Sequence, residues 1–332
     1  MGESNQGRKR RVVVLGTGGT IAGRASSAGD NIGYTAGQVG VAELLGGIDV
    51  PEGVELLAEQ VSQVDSKDMS FAIWQKLAQR CAHWLAEPEV AGIVITHGTD
   101  TLEETAFFLQ SVLSPPKPVV LTCAMRPATA LAPDGPQNVR DAIVVAGTPG
   151  AHGVVAVCAG RVHGALDVQK VHTYRLDAFD SGDAGPLAYV EEGAVRALRA
   201  WPESVPAADV FGRVARAKSW PRVEILVSHA EARGAIVDTL AAERRQGATG
   251  AAQGLVLAAT GNGTLHHELE AAALRAQAEG IVVIRATRCM QGRILPKPND
   301  ALRDAGALTP VKARIALALE ILSPGDEQGN ES

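Results

Sequence analysis

The chain has 332 residues, 46 % of them hydrophobic, with 36 glycines, 17 prolines and a formal charge of −6. That length allows two domains that each bury an ordinary core. The acidic balance leaves no field to hold a polyanion, which argues against a nucleic-acid partner.

Taken in order, Arg8-Lys-Arg-Arg11 is the one dense basic run, and residues 1–10 read as a disordered basic tail. Val12 to Leu15 is a strand-length apolar run, too short for a secretory core, and no later stretch has the length of a membrane span. The expectation is a cytoplasmic protein without a membrane partner. Further strand-length runs stand at Val54 to Leu57, Ala91 to Ile95, Val119 to Thr122 and Val154 to Val157, separated by segments with helical spacing. Among these segments, Ser70 to Leu85 places Ile73, Leu77, Cys81 and Trp84 along one face. Thr101-Leu-Glu-Glu104 has the form of a capping box opening a helix. Such alternation predicts an α/β fold with a mostly parallel sheet over residues 11–195. Around Glu191 to Trp220 the pattern blurs into charges, Ala and Pro, so residues 196–221 read as a linker. The rhythm restarts at Val223 to Val227, Leu255 to Ala259 and Ile281 to Ile284, and Thr309 to Glu320 reads as a closing helix with Pro in its first turn. A smaller second α/β domain is therefore expected over 222–325, with 326–332 as a disordered tail.

Glycines after a first strand raise phosphate binding first, and the spacing rejects it. From Gly16 a dinucleotide fingerprint needs Gly where Ile21 stands, and from Gly18 a phosphate loop meets Arg24-Ala25 in place of Lys-Ser/Thr. His267-Glu268 begins like a zinc helix motif, but Ala271 stands where the second histidine belongs. Cys81, Cys123, Cys158 and Cys289 are scattered without CxxC spacing, so reduced thiols are expected and no metal site is visible. What remains at the first turn is Thr17 and Thr20, at the carboxyl end of a strand where open α/β sheets hold ligands. A second turn, His97-Gly-Thr-Asp-Thr101, likewise follows a buried run. A threonine in such a turn can be a nucleophile or can bond the turn backbone, and an aspartate at a helix start can be only a cap. Together the two strand ends would turn four hydroxyls and a carboxylate toward one crevice. A hydroxyl nucleophile needs a proton acceptor, for which Lys170 held neutral by burial or a tyrosinate at Tyr34 are the candidates. A lone Lys such as Lys170 is more often a solvated surface charge, and Tyr34 reads as a packed phenol or a lid residue on a Gly-rich segment.

Leu15-Gly-Thr-Gly-Gly-Thr-Ile-Ala22 and Ile95-Thr-His-Gly-Thr-Asp-Thr-Leu102 resemble the two signature motifs of the bacterial L-asparaginases, in the asparaginase/glutaminase amidohydrolase family. Tyr34-Thr-Ala-Gly-Gln-Val-Gly40, Asp65-Ser-Lys-Asp-Met69, Ala124-Met-Arg-Pro127, Asp134-Gly-Pro-Gln-Asn138, Asp167-Val-Gln-Lys170, Gly185-Pro-Leu-Ala-Tyr189 and Gly261-Asn-Gly263 follow in the family's order. The resemblance implies a doubly wound, flavodoxin-like N-terminal domain and a smaller C-terminal α/β domain. It also implies a homotetramer of close dimers with shared sites, no cofactor, and L-asparagine hydrolysed to aspartate and ammonia. By the same resemblance Thr20 is the acylated nucleophile with Tyr34 as its lid partner, and Thr99, Asp100 and Lys170 form a second triad. Gly19, Ser66, Lys67, Gly98, Thr99, Asp100 and Ala124 would hold the substrate, and Asn262 would reach in from a neighbouring subunit. Position 67 is Lys where many relatives that also accept glutamine carry Gln, and Arg288 to Asp300 is short and has no Glu where some relatives place an acid. Asparagine is expected over glutamine. A glutaminase-asparaginase or the amide-donor subunit of a tRNA amidotransferase is the alternative enzyme, and an amino-acid-binding regulatory module the alternative of another class. A nucleotide-binding oxidoreductase comes last.

Overall fold

Val12, Val13, Val14 and Leu15 bring no polar side chain to the surface, and all four are fully buried within β1 (Arg10–Gly18). The computed structural model describes residues 10–27, 29–203 and 209–322, and the chain divides between residues 208 and 209 into two compact units. Residues 1–9 and 326–332, where tails are expected, lie outside the described residues, and Arg10 already belongs to β1.

In the first unit α1 (Val41–Leu45), β2 (Val54–Val64), α2 (Phe71–Ala86), β3 (Val90–Thr96), α3 (Leu102–Leu113), β4 (Val119–Thr122), α4 (Gly135–Ala146) and β5 (Val154–Cys158) follow β1. The strands then turn antiparallel through β6 (Arg161–Gly164), β9 (Ala188–Glu191) and β10 (Ala194–Ala197), while β7 (Gln169–Lys170) and β8 (Phe179–Asp180) form a separate ribbon. The main sheet has eight strands in the order β10-β9-β6-β5-β4-β3-β1-β2. Its β2-β1-β3-β4-β5 half is wholly parallel, with Val14 opposite Ala58 on one side and Val94 on the other. This is the expected doubly wound arrangement. Central strands are apolar on both faces because helices cover both; α4 packs so closely on β3 that a methyl group at Gly92 would lie 2.3 Å from the Ala146 carbonyl oxygen.

Three expectations are corrected. β2 is eleven residues long, where the apolar run ends at Leu57. As the sheet's edge it alternates polar and apolar residues, and that pattern hides its length. On α2 the buried line is Trp74, Leu77, Ala78 and Cys81, with Ile73 and Trp84 at its flanks. The segment expected as linker is partly structured: β10 begins before it and pairs with β9, and α5 (Val210–Arg216) lies within it.

In the second unit β11 (Val223–Val227), β12 (Gly254–Ala259) and β13 (Val282–Thr287) form a three-stranded parallel sheet. Two helices, α6 (Ala235–Arg245) and α7 (His267–Ala278), bury Val237, Leu240, Leu269 and Ala273 against one face. The closing helix α8 (Pro310–Ile321), capped by Thr309, covers Val256 and Ile284 on the other.

Phe108 of α3 is fully buried and stacks on Trp74 at a centroid distance of 4.9 Å. Truncating a buried aromatic leaves a cavity that surrounding side chains fill only partly. Phe108→Ala is expected to cost the first unit about 3–5 kcal/mol in urea unfolding; a cost under about 1 kcal/mol would place the residue outside the core.

Candidate active site

The order of the parallel strands decides where side chains can converge. From β1 the chain crosses to β2 on one side, and the next strand, β3, lies on the other side of β1. The connections therefore diverge at the carboxyl ends of β1 and β3 and leave a crevice between them. Thr20 opens the short 3-10 turn after β1, Thr99 and Asp100 follow β3, and Ser66 follows β2. The first two turns touch through glycines: Gly19 has φ +84, and a methyl group on it would sit 2.3 Å from the Gly98 nitrogen. One on Gly98 would meet the Ser66 hydroxyl at 2.4 Å.

Two hydroxyl pairs stand at this crevice. Thr20 Oγ1 is hydrogen-bonded to Tyr34 Oη at 2.6 Å. Tyr34 belongs to a segment whose ends are tied together by reciprocal backbone bonds between Arg24 and Thr35, so the phenol lies over the turn. Lys170 Nζ donates to Thr99 Oγ1 at 2.8 Å and to Asp100 Oδ1 at 2.6 Å. Ser66 joins this side through its hydroxyl, which accepts the Asp100 N–H at 3.2 Å. The sequence candidates Thr20, Tyr34, Gly19, Ser66, Gly98, Thr99, Asp100 and Lys170 thus fall into one linked arrangement within the first unit.

The geometry corrects three details. Of the four turn hydroxyls only Thr20 and Thr99 are left for chemistry, because Thr17 Oγ1 donates to the Thr96 carbonyl at 2.8 Å and Thr101 Oγ1 to the Ser66 carbonyl at 2.7 Å. The second bond also removes the expected capping box: Thr101 is the N-cap of α3 by position, but its side chain makes no cap bond. Lys170 is not isolated by burial, since its ammonium forms an ion pair with Asp100.

The remaining candidates are placed differently. Lys67 is exposed and pairs with Asp68 and Asp65; its hydrogen bond to Asp68 raises its pKa. Ala124 is buried just past β4, where the Asp134 carboxylate accepts the N–H groups of Met125 and Arg126. Asn262 lies in the second unit on an exposed turn, and both ends of its amide engage Leu295, donating to the carbonyl at 3.0 Å and accepting its N–H at 2.7 Å. Asp300, the carboxylate closing the short segment, is paired with Arg285 at 2.8 Å, and Arg285 in turn holds the Gly263 carbonyl. No group of three or more His, Cys, Asp or Glu residues poised for a metal occurs among the described residues, and no described helix is long and apolar enough to cross a membrane. All four cysteines are free, with the Cys123 and Cys158 sulfurs 3.2 Å apart.

Several supporting residues escape a reading of the sequence. His97 is completely buried; its Nδ1 donates to the Gly98 carbonyl and its Nε2 accepts from Thr105, whose hydroxyl accepts the Trp74 indole N–H at 2.8 Å. Burial pushes its pKa down to about 4. The imidazole is therefore neutral, with its tautomer set by the carbonyl. Glu103 accepts the Lys170 backbone N–H at 2.5 Å and so fixes the ribbon that carries the lysine. Nothing in the spacing of His97, Thr105 and Trp74 announces that they meet, since α2, α3 and β3 bring them together.

Known proteins can now be set beside this geometry. The family model "Asparaginase, N-terminal" matches residues 11–203, and "Glutaminase/Asparaginase C-terminal domain" matches 222–328. The chain is 34 % identical over 323 residues to L-asparaginase 2 of Bacillus subtilis, covering 96 % of this chain and 84 % of that protein. It is 33 % identical to the glutaminase-asparaginase of Pseudomonas fluorescens biotype A, covering 96 % and 88 %. The crystal structure of a probable cytoplasmic L-asparaginase from Campylobacter jejuni superposes with a TM-score of 0.84 at 33 % identity, covering 94 % of this chain and 95 % of that one. The fold is that of an α/β amidohydrolase with a two-turn site at the switch of strand order. The chain belongs to the asparaginase family.

Buried His163, like His97, has its pKa pushed down to about 4 by burial. Between the ordinary 6.5 and about 4 the unfolded chain binds protons that the folded chain does not, so stability falls as pH drops through that window and levels off below it. Thermal unfolding is expected to shift steadily downward from pH 6.5 to 4, with a smaller shift in His97→Gln. An equal slope in that variant would mean His97 takes up its proton without unfolding.

Proposed function

We propose that the chain hydrolyses the side-chain amide of L-asparagine to L-aspartate and ammonia, with Thr20 as the nucleophile. The observation that carries this reading is the pairing of two threonine hydroxyls, each with an ionisable partner, on adjoining strand ends of one sheet: Thr20 with Tyr34, and Thr99 with Lys170 and Asp100. Membership of the asparaginase family supports the same reaction.

The hydroxyl oxygen of Thr20 forms a bond to the amide carbon, its proton leaving along the hydrogen bond to Tyr34. The amide nitrogen gains a proton and departs as ammonia. Water then cleaves the β-aspartyl ester, returns the hydroxyl proton and releases aspartate, so the net consumption is one water. Ser66, Lys67, Gly98, Thr99, Asp100, Gly19 and Ala124 hold the substrate: hydroxyl, backbone and ammonium donors suit its α-carboxylate, and the Asp100 carboxylate suits its α-ammonium. The Lys170–Asp100 ion pair fixes the orientation of Thr99 in either route, covalent or by direct attack of water.

A homotetramer of close dimers, with Asn262 entering a neighbouring subunit's site, is the assembly we infer; the exposure of the Asn262 turn and its bracing by Leu295 and Arg285 support a rigid projecting element. A cytoplasmic location is inferred from the similarity to the Campylobacter protein so named. For specificity, asparagine and glutamine differ by one methylene, which a pocket discriminates by about 1–3 kcal/mol. Lys67, standing where many relatives that also accept glutamine carry Gln, supports the preference for asparagine.

Ammonia release from both amides is the direct test. Thr20→Ala and Thr99→Val are expected to lose about a thousandfold or more in kcat while keeping the wild-type melting temperature. Asparagine should exceed glutamine by about 10- to 200-fold in kcat/KM. No ammonia from either amide with folded wild type would overturn the reading. In gel filtration with activity assayed across the peak, turnover is expected only in the oligomer, and a fully active monomer would remove Asn262 from the site.

A further inference from the structure

Beside the first turn the first unit has a cavity of about 340 Å³. Ile21, Val39, Leu44 and Ile48 form its apolar walls, and none of Thr20, Tyr34, Thr99, Asp100 or Lys170 lines it. Its size is that of a small-ligand pocket. Three charged residues reach it. Arg24 is ion-paired with Glu43, so these two cancel. Arg126 gives one guanidinium nitrogen to the Ala132 carbonyl at 3.1 Å and pairs with no carboxylate among the described residues. The nearest acid in sequence, Asp134, turns its two oxygens to the backbone N–H groups of Met125 and Arg126 instead. An apolar cavity with one uncompensated guanidinium at its wall is complementary to a small molecule with an apolar body and a single negative charge.

We propose that this cavity is a second binding site, separate from the amide site, for a short aliphatic or aromatic monocarboxylate held by Arg126. Its position gives it leverage on the catalytic turn. Ile21 follows Thr20 directly, and Arg24 is bridged to Thr35, the neighbour of Tyr34. The opposite wall is fixed to the same segment by the Ala128 N–H bond to the Gly23 carbonyl and by the Ala25 N–H bond to the Thr129 hydroxyl. A ligand packed against Ile21 and beside Arg24 therefore touches the residue that follows Thr20 and the residue bridged to Thr35.

Gly47 provides a clean way to fill the site, because it lines the cavity and a methyl group on it meets nothing within 4 Å. Binding of hexanoate and benzoate is measured by saturation-transfer NMR on the full enzyme, with hexylamine and benzyl alcohol as probes of the charge requirement and with excess L-aspartate present to occupy the amide site. Both carboxylates are expected to bind saturably in the presence of L-aspartate, the amine and the alcohol about tenfold more weakly. Arg126→Gln should weaken the carboxylates to the level of the alcohol, and Gly47→Phe should abolish binding at an unchanged melting temperature. Displacement by L-aspartate, absence of binding, or equal binding in wild type and Arg126→Gln would each overturn the proposal. Arg126→Gln decides the matter if Gly47→Phe fails to fold. No step of this test depends on amide turnover, so the second site and the proposed reaction stand or fall separately.

Discussion

Two glycines in contact, Gly19 and Gly98, set the position of the paired hydroxyls in the first unit. There is no room for one methyl group between the turn after β1 and the turn after β3. That approach brings Thr20 and Thr99, seventy-nine positions apart in sequence by their numbers, into one crevice without any long side chain spanning it. Adding Cβ at Gly19 would also require a left-handed backbone that a substituted residue adopts at a cost. The parallel order of β2, β1 and β3 makes such a contact available, and the glycines use it.

Around this contact the polar groups divide into those bound to backbone carbonyls and those paired with other side chains. Thr17 and Thr101 spend their hydroxyls on the carbonyls of Thr96 and Ser66, locking β1 to β3 and the β2 turn to α3. His97 works from beneath, holding the Gly98 carbonyl with a neutral ring. A buried ring of this kind is best kept uncharged, because burial outweighs its hydrogen bond to the Gly98 carbonyl. Thr20 and Thr99 are the hydroxyls this scaffold leaves facing ionisable partners.

Much of this was legible before any coordinates. The apolar runs of β1, β3, β4 and β5 are continuous because both faces of those strands are covered, and continuous runs stand out. The two hydroxyl turns were visible because each follows such a run. What was not legible has particular causes. The full length of β2 was hidden because an edge strand alternates. β6, β9 and β10 are four residues each, too short for their periodicity to register. The uses of Thr17 and Thr101 depend on partners in other strands, as does the line from Trp74 through Thr105 to His97. Lys170 stood out as a residue, but its partner did not, because Asp100 lies seventy positions away.

The edge position of β2 has a consequence for self-association. A free strand edge is a template on which another chain can add a strand, and β2 is both that edge and the support for Ser66. Here the edge is defended by charge: Glu55 pairs with Arg11, Glu59 with Arg80, and Lys76 reaches down from α2 to the Val61 carbonyl at 2.6 Å. Charged side chains on an edge strand disfavour the addition of a second strand, so side chains remote from the amide site bear on how copies of the chain meet.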